Sequence, residues 1–387
     1  MSDSMALPRE SRLERYIWLL AFAIAALSLL MGFWYHYNAY LAGGHPFIQG
    51  DWLINSINGP VRRGPLGSVI IHIGDWTGLG PLTVTVILQL SLMIVMTLPV
   101  LLAFWRLRIP AYALLLTSPG FFIVFWASSP TGSLRKEMIG LASICVLLLI
   151  PLLPKAFRGL VVAFSLLLFA IACIGHEVNT FMAPVLAALF VITLRPDLRS
   201  RVLWAAAAVF FALTAAALLY AMSQAQISDR AAVCDPLLER GLGSNICSGS
   251  IRWLTYDSAH ARSELIRRLT APGASLSFAV AATLVVAPLV YLVSLHDRAR
   301  LLYGVLAACL LPVLPLFFVA HDWGRWLCIY ITLFTVVIFA LALQGRIRMV
   351  RPVNPVVLLT FVCLSFVWSP HHILGLQLGG IVKRILT

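Results

Sequence analysis

The stretch YIWLLAFAIAALSLLMGFWY, residues 16–35, decides the fold because it contains no charged side chain. An apolar helix of about 20 residues crosses the ~30 Å hydrocarbon core of a bilayer. The stretch is longer than the apolar region of a signal peptide, and no small-residue cleavage site follows it. We therefore expect a transmembrane helix that the protein retains.

Similar apolar runs recur along the whole chain of 387 residues, of which 61% are hydrophobic and only 11% are charged. A soluble protein would have about 25% charged residues. Because a bilayer forces backbone groups to pair within each helix, we predict an all-α integral membrane protein with about 11 transmembrane helices in one polytopic domain, residues 1–387. The predicted spans are 16–35, 80–104, 109–127, 138–154, 159–175, 180–194, 202–222, 276–295, 300–319, 326–344 and 353–369.

The basic residues between the spans predict the orientation, because short cytoplasmic loops of membrane proteins are enriched in Lys and Arg. With the N-terminus inside and the C-terminus outside, each inner segment carries two or three such residues. They are Arg9, Arg12, Arg15, Arg106, Arg108, Lys155, Arg158, Arg195, Arg199, Arg201, Arg298, Arg300, Arg346, Arg348 and Arg351. We therefore interpret the net charge of +13 as a topology signal. A nucleic-acid partner is excluded, because that reading needs a contiguous basic patch.

Two long outer loops remain, at residues 36–79 and 223–275. The first contains an apolar segment, LGSVIIHIGDWTGLG (66–80), which is too short to span and predicts an interfacial helix. The second predicts a small outer cap with a helix in SAHARSELIRRL (258–269), capped by Ser258. In an oxidising outer compartment, its Cys234 and Cys247 are candidates for a disulfide. Without nearby His ligands they do not indicate a zinc site.

The first outer loop holds the densest cluster of polar groups, in GDWLINSINGPVRRGPLG (50–67). Asp51 follows Gly50, and the adjacent guanidinium groups of Arg62 and Arg63 lie between two prolines. Such a pair suits a phosphate or pyrophosphate, which it can bind through forked hydrogen bonds. We expect this loop to be catalytic and to hold phosphate, against the alternative of an ordered but inert loop.

The other outer connections each add candidate site residues. Arg135 and Lys136 either take part in function or anchor a helix end to lipid headgroups. His176 and Glu177 lie in a short turn, where function and helix capping are both open. Asp322 and Arg325 are three residues apart and can form a structural ion pair, although His321 adds a third titratable group beside them.

A carboxylate and basic residues at the lipid boundary suit a reaction on a lipid-linked phosphate. The candidate catalytic residues Asp51, His176, Glu177 and Asp322 can take a proton from a sugar hydroxyl. The candidate phosphate-binding residues are Arg62, Arg63, Arg135, Lys136 and Arg325, which would stabilise the leaving group. The chain lacks a phosphate-binding motif of the G-x-x-x-x-G-K-[ST] type, so a soluble nucleotide donor is not indicated. We expect no cofactor and no metal.

The chain resembles the C-type membrane glycosyltransferases, especially the bacterial O-antigen and exopolysaccharide polymerases. The shared features are the many spans, the acid Asp51 on the first outer loop, one enlarged outer loop, and the outer arginines Arg62, Arg63, Arg135 and Arg325. The resemblance implies a donor sugar on polyprenyl phosphate or pyrophosphate. It also implies that the first-loop acid activates the acceptor and that outer arginines hold the pyrophosphate. The chain lacks the adjacent acidic pair frequent in that family, so a metal-dependent variant is not implied.

The resemblance places the reaction on the outer face of the bacterial cytoplasmic membrane. Its partners would be a polyprenyl-linked sugar, membrane lipids and other proteins of envelope-glycan assembly. The main alternative is a transporter or flippase for a lipid-linked or anionic substrate. Further alternatives are an acyltransferase with His176 as its base and a structural subunit of an envelope complex.

Overall fold

The computed structural model describes residues 12–194, 201–224, 227, 229–373 and 375–386. The α-helices are numbered in chain order. They are α1 Arg12–Leu41, α2 Ile48–Trp52, α3 Gly64–Thr77, α4 Pro81–Leu107, α5 Ala113–Leu116, α6 Phe122–Ser128, α7 Glu137–Val146, α8 Lys155–Gly175, α9 Ala183–Leu194, α10 Arg201–Ser223, α11 Ala231–Leu238, α12 Ser250–Trp253, α13 Ser258–Leu269, α14 Ala274–Ser294, α15 Ala299–Leu310, α16 Leu316–Val319, α17 Trp323–Leu343, α18 Pro355–Val367 and α19 Gly380–Leu386.

Short 3₁₀ turns and one small hairpin complete the structure of the described residues. The 3₁₀ turns are Pro110–Tyr112, Pro130–Gly132, Leu147–Leu149, Glu177–Met182 and Ser244–Ser248. The hairpin pairs β1, Trp368–Pro370, with β2, Leu376–Leu378, in antiparallel register.

The protein is membrane-embedded and helical. Within the described residues, six helices are long and apolar enough to cross a bilayer, and each overlaps a predicted span. These segments are Arg12–Leu41, Pro81–Leu107, Lys155–Gly175, Glu177–Leu194, Ala274–Ser294 and Trp323–Leu343. Four shorter apolar helices lie near other predicted spans. The total of 11 spans therefore stays a prediction.

The predicted span 109–127 is not one helix. It is divided into the turn Pro110–Tyr112, α5 and α6, with a non-helical stretch from Thr117 to Phe121. The break contains Pro119, which has no backbone N–H to donate, followed by Gly120, which is a weak helix former. Hydrophobicity is continuous across the break, so it predicts a single span although Pro119 and Gly120 are potential helix breakers. The predicted span 300–319 is likewise divided, into α15 and α16.

Helix α17 is the centre of the bundle. In the most apolar 18 residues of α17, 89% of the residues are buried. In the most apolar 18 residues of α1, α8 and α14, a third or fewer are buried. Helix α17 packs on α4, α7, α9 and α15. A helix that is hydrophobic on all sides belongs inside, and helices that expose an apolar face suit a lipid surface. The start of α17 is consequently an anchored position for side chains.

The first outer loop folds back onto the bundle through α2 and α3. Helix α3 packs on α4 and α8, at the position of the predicted interfacial helix. It approaches the preceding chain so closely that a Cβ atom at Gly67 would overlap the carbonyl oxygen of Ile54. This close packing holds α2 in the interior, where all its residues are buried.

Residues 229–273 form the cap, built from α11, α12 and α13. Cys234 and Cys247 form a disulfide in it, with their Cα atoms 6.0 Å apart. The predicted helix over 258–269 is present, but its N-cap is Asp257 rather than Ser258. The Asp257 carboxylate accepts a hydrogen bond from the His260 backbone N–H, at 2.7 Å.

Several hydrogen bonds and an ion pair fix the cap to the first outer loop. The Ser250 N–H donates to the carbonyl of Pro46 at 3.1 Å. The Asn55 side chain donates to the carbonyl of Val233 at 2.9 Å. Arg240 forms a two-pronged ion pair with Asp75 on α3, at 2.8 Å. The cap is therefore bonded directly to the loop that carries Asp51.

The sidedness of the bundle stays a prediction. Three of the basic residues on which it depends, Arg9, Arg195 and Arg199, lie outside the described residues.

Candidate functional site

The polar residues assigned to the outer side lie together in the structure. We call this group the charged cluster. Its members are Asp51, Arg63, Arg135, Lys136, Glu137, His176, Glu177, Asp322 and Arg325. They come from α2, the start of α3, the start of α7, the turn after α8 and the start of α17. These charged side chains lie at helix ends because a charge in the middle of a membrane-spanning helix is energetically costly.

Asp51 is the most deeply buried carboxylate of the cluster, with 1% of its surface exposed. Its Oδ2 atom accepts a hydrogen bond from the Lys136 backbone N–H at 3.2 Å, whereas Oδ1 is buried and accepts none from the described residues. Burial raises the pKa of Asp51, but the charges of Arg135 and Lys136 outweigh burial and leave the pKa lowered. Asp51 is thus a carboxylate at neutral pH with one oxygen available.

A buried amide network positions α2. The Trp52 indole donates to the carbonyl of Leu134 at 2.9 Å, and the Gln89 amide donates to the same oxygen at 2.8 Å. The Gln49 amide lies 3.2 Å from Nδ1 of His36 on α1. Because these groups are buried, each lost bond would leave an unsatisfied polar atom, which is costly. The network holds Asp51 against the Leu134 turn.

Lys136 is fully buried, and its ammonium donates to the carbonyl of Arg63 at 2.7 Å. Burial lowers the pKa of Lys136 to about 8, against the opposing effect of Asp51. Its backbone and its side chain therefore join the two parts of the first outer loop, at Asp51 and at Arg63.

Arg63 has a left-handed backbone, with φ of 67°, at the entry to α3. Its Nε atom donates to Oε2 of Glu177 at 2.9 Å, and its Nη2 atom donates to Oε1, in the forked geometry that Arg favours with a carboxylate. Arg62 lies at the rim, with 47% of its side chain exposed and its Nε atom 3.8 Å from the same carboxylate.

His176 is a buried, neutral imidazole. Its Nδ1 atom accepts a hydrogen bond from the Val178 backbone N–H at 3.1 Å, so the ring proton resides on Nε2. Nε2 lies 3.8 Å from Oε1 of Glu137. Burial, with the nearby charge of Arg63, lowers the pKa of His176 to about 4. The imidazole is therefore an N–H donor directed toward the cluster.

Arg325 bridges two carboxylates at the start of α17. Its Nη2 atom is 2.6 Å from Oε1 of Glu137, and its Nη1 atom is 3.0 Å from Oδ2 of Asp322. Burial raises the pKa of Asp322, but the charges of Arg325 and Arg135 outweigh burial and hold it at about 2. The ion pair considered for Asp322 and Arg325 is therefore present, within a larger network.

Arg135 differs from the other arginines, because no carboxylate among the described residues forms an ion pair with it. Its Nη1 atom donates to Ser250 of the cap at 3.2 Å, and its guanidinium lies 5.4 Å from the centre of the Phe47 ring. Its positive charge interacts with the carboxylates of Asp51 and Asp322 through space. Because it forms no ion pair within the described residues, the Arg135 guanidinium is available for an anion.

Four polar atoms of the cluster are buried without a hydrogen-bond partner in the described part of the chain. They are Asp51 Oδ1, Arg135 Nε, Glu137 Oε2 and Arg325 Nε. Buried polar groups are normally satisfied, so such a concentration indicates a site for a polar ligand. Two acceptors and two donors can receive a hydroxyl group and hold an anion.

The structure thus brings together all the sequence-predicted charged residues, with Arg62 at the edge. Cys234 and Cys247 lie apart from the cluster, in the cap. The sequence analysis missed Glu137 as a site residue, although it directly follows Lys136 and precedes an apolar helix. It also gave no role to His372. The Nδ1 atom of His372 is 3.3 Å from Ser129 Oγ, and positive charge on its ring lowers the pKa of Asp322.

Within the described ranges, no three His, Cys, Asp or Glu side chains come close enough to hold a metal ion. No protein-family model, curated protein or solved structure gives a significant match to the chain.

Proposed function

We propose that the protein is a membrane glycosyltransferase or glycan polymerase that uses a sugar linked to polyprenyl phosphate or pyrophosphate, on the outer face of the bacterial cytoplasmic membrane. The observation that carries this proposal is Asp51, a buried, ionised carboxylate. Among the described residues, one of its oxygens accepts no hydrogen bond, and the nearby Arg135 pairs with no carboxylate. The outer side follows from the positive-inside rule.

In the proposed reaction, a hydroxyl oxygen of the acceptor attacks the anomeric carbon of the donor sugar. The new bond joins that carbon to the acceptor oxygen, and the bond from the carbon to the phosphate oxygen breaks. The hydroxyl proton passes to Oδ1 of Asp51. The polyprenyl phosphate or pyrophosphate departs with the bonding electron pair, so negative charge develops on it.

Arg135 is the cation best suited to that leaving group. Arg63 and Arg325 are held by Glu177 and by Glu137 with Asp322, so their main role is to keep those carboxylates in place. Arg135 is partly exposed, and its partners in the described part of the chain are a hydroxyl and an aromatic ring. Arg62 at the rim adds a second accessible guanidinium. Fixed donors of this kind stabilise developing charge without reorganising.

The proposal is tested in cells that carry the wild-type gene, Asp51→Asn or no gene, with matched protein levels. Mass spectrometry of polyprenyl-linked lipids and of surface glycan is the readout. We expect Asp51→Asn to accumulate the same lipid-linked sugar as the deletion. Unchanged lipids and glycan in both strains would overturn the proposal, and lipid flipping or solute uptake without a covalent product would favour the transporter or flippase.

A further inference from the structure

The cap contains an open polar groove that the proposed chemistry does not use. It has a volume of about 490 Å³. We call it the cap groove, and it is lined by Asp229, Arg230, Arg252, Thr255 and Tyr256. Its size lies within the roughly 300–1,000 Å³ typical of small-ligand sites.

Aromatic rings form one side of the cap groove. The Arg252 guanidinium lies 6.0 Å from the centre of the Tyr256 ring. The Tyr256 ring stacks on His260 at 4.2 Å and meets Trp253 edge-on at 5.2 Å. Rings packed in this way are held at fixed angles, so Tyr256 offers a rigid apolar surface beside charged groups.

The same rings connect the cap groove to the charged cluster. The Trp253 ring lies 5.6 Å from the ring of His321, the neighbour of Asp322. On α12, Ser250 contacts Arg135 of the cluster, whereas Arg252 lines the groove. These two residues share a helical turn, which rises only about 5.4 Å. Neighbouring residues of α12 therefore contact the charged cluster and line the cap groove, from different sides of the helix.

The position of the cap groove is fixed. The disulfide between Cys234 and Cys247 closes the segment between Asp229 and α12, and Ser250 is bonded to Pro46 of the first outer loop. The groove and Asp51 are thus held by one framework.

We propose that the cap groove binds the saccharide of the acceptor, with preference for one that carries a carboxylate. This inference rests on the proposed function. The ring of Tyr256 covers the apolar face of a pyranose, and Asp229, Arg230 and Arg252 hydrogen-bond its hydroxyl groups. Two arginines against one aspartate leave a net positive charge, which attracts an acidic sugar.

The test uses purified full-length protein in detergent. The probe is the oligosaccharide released by mild acid from the lipid that accumulates in the Asp51→Asn strain, because in a polymerase the same saccharide unit serves as donor and as acceptor. Binding is followed by tryptophan fluorescence. We expect Arg252→Ala and Tyr256→Ala each to weaken binding about tenfold, which corresponds to about 1.4 kcal/mol. Tyr256→Phe keeps the ring and should bind within about twofold of wild type.

Arg262→Ala is the matched control, because it removes the same charge from an exposed position of α13 outside the groove. Arg230→Ala is a second groove variant if Tyr256→Ala does not fold. Wild-type binding by the Arg230 and Arg252 variants, or equal weakening by Arg262→Ala, would overturn the groove assignment and leave the proposed function standing. If no lipid accumulates in the Asp51→Asn strain, the proposed function fails and the groove assignment falls with it.

Discussion

The Nη2 atom of Arg325 lies 2.6 Å from Oε1 of Glu137, across 188 residues of sequence, and both side chains are more than nine-tenths buried. A buried charge that loses its partner is left without compensation. This pair therefore joins the start of α17 to the start of α7 and fixes the geometry of the charged cluster.

Breaking the pair between Glu137 and Arg325 should destabilise the protein strongly. We expect Glu137→Gln and Arg325→Met each to cost about 3–5 kcal/mol of unfolding free energy. The double variant should cost less than the sum, because neither charge is then left alone. Thermal unfolding in detergent, analysed as a double-mutant cycle, measures this coupling, and strictly additive losses would contradict it.

Arg63 and Arg62 should differ sharply although they are neighbours. Arg63→Lys keeps the charge but loses the fork to Glu177, so we expect reduced stability and little product. Arg62→Lys is the matched control, because Arg62 is half-exposed and its contact with Glu177 is long. Exposed pairs of that kind contribute at most about 1 kcal/mol. Equal losses of melting temperature in the two variants would show that the fork has no special role.

The disulfide should stabilise the cap and, through it, the first outer loop. Cys234 and Cys247 are 13 residues apart, and closing a loop of similar size is worth about 3 kcal/mol in the chain-entropy view. We expect Cys234→Ser, and reductant on wild type, to lower the melting temperature and glycan synthesis together. Cys363→Ser, at an exposed unpaired cysteine, is the control. Reductant that changes neither quantity would count against this role.

Lys136 should leave a signature in the pH dependence of stability. Its pKa is about 8 in the folded protein, against ~10.4 for an unperturbed lysine. Between these values the unfolded chain binds more protons, so this group makes the fold more stable as the pH rises.

Relative to Lys136→Met, the wild type should therefore gain up to about 1.4 kcal/mol for each pH unit above 8. Thermal unfolding of both proteins from pH 7 to pH 10 gives this difference directly. A difference that is independent of pH would mean that the buried ammonium is not perturbed.

The membership of the charged cluster could be predicted largely from sequence, but its pairings could not. Topology rules assign Asp51, Arg135 and Asp322 to one side of the membrane. Few polar side chains on that side can be accommodated elsewhere. The partner of Arg63 is 114 residues away, and no local pattern identifies it. Only the i, i+3 spacing of Asp322 and Arg325 suggested a pair in advance.

The fold shows the same division between local and distant information. The six long apolar helices follow from composition alone. The break at Pro119 did not follow from composition, because a proline marks a potential break but hydrophobicity is continuous across it. The roles of Leu134, whose carbonyl receives both Trp52 and Gln89, and of Glu137 depend on contacts between distant segments. Such contacts leave no periodic trace in one sequence.

The central claim, that Asp51 activates an acceptor for sugar transfer, is tested most directly with purified protein in lipid nanodiscs. The donor is the lipid-linked sugar isolated from the Asp51→Asn strain, and a second molecule of the same lipid supplies the acceptor hydroxyl. The readout is glycosidic product and released polyprenyl phosphate or pyrophosphate, with Asn58→Asp as a variant that changes charge elsewhere in the same loop. The account predicts equimolar product and lipid phosphate from wild type and Asn58→Asp and none from Asp51→Asn. Equal product from Asp51→Asn and wild type would contradict it.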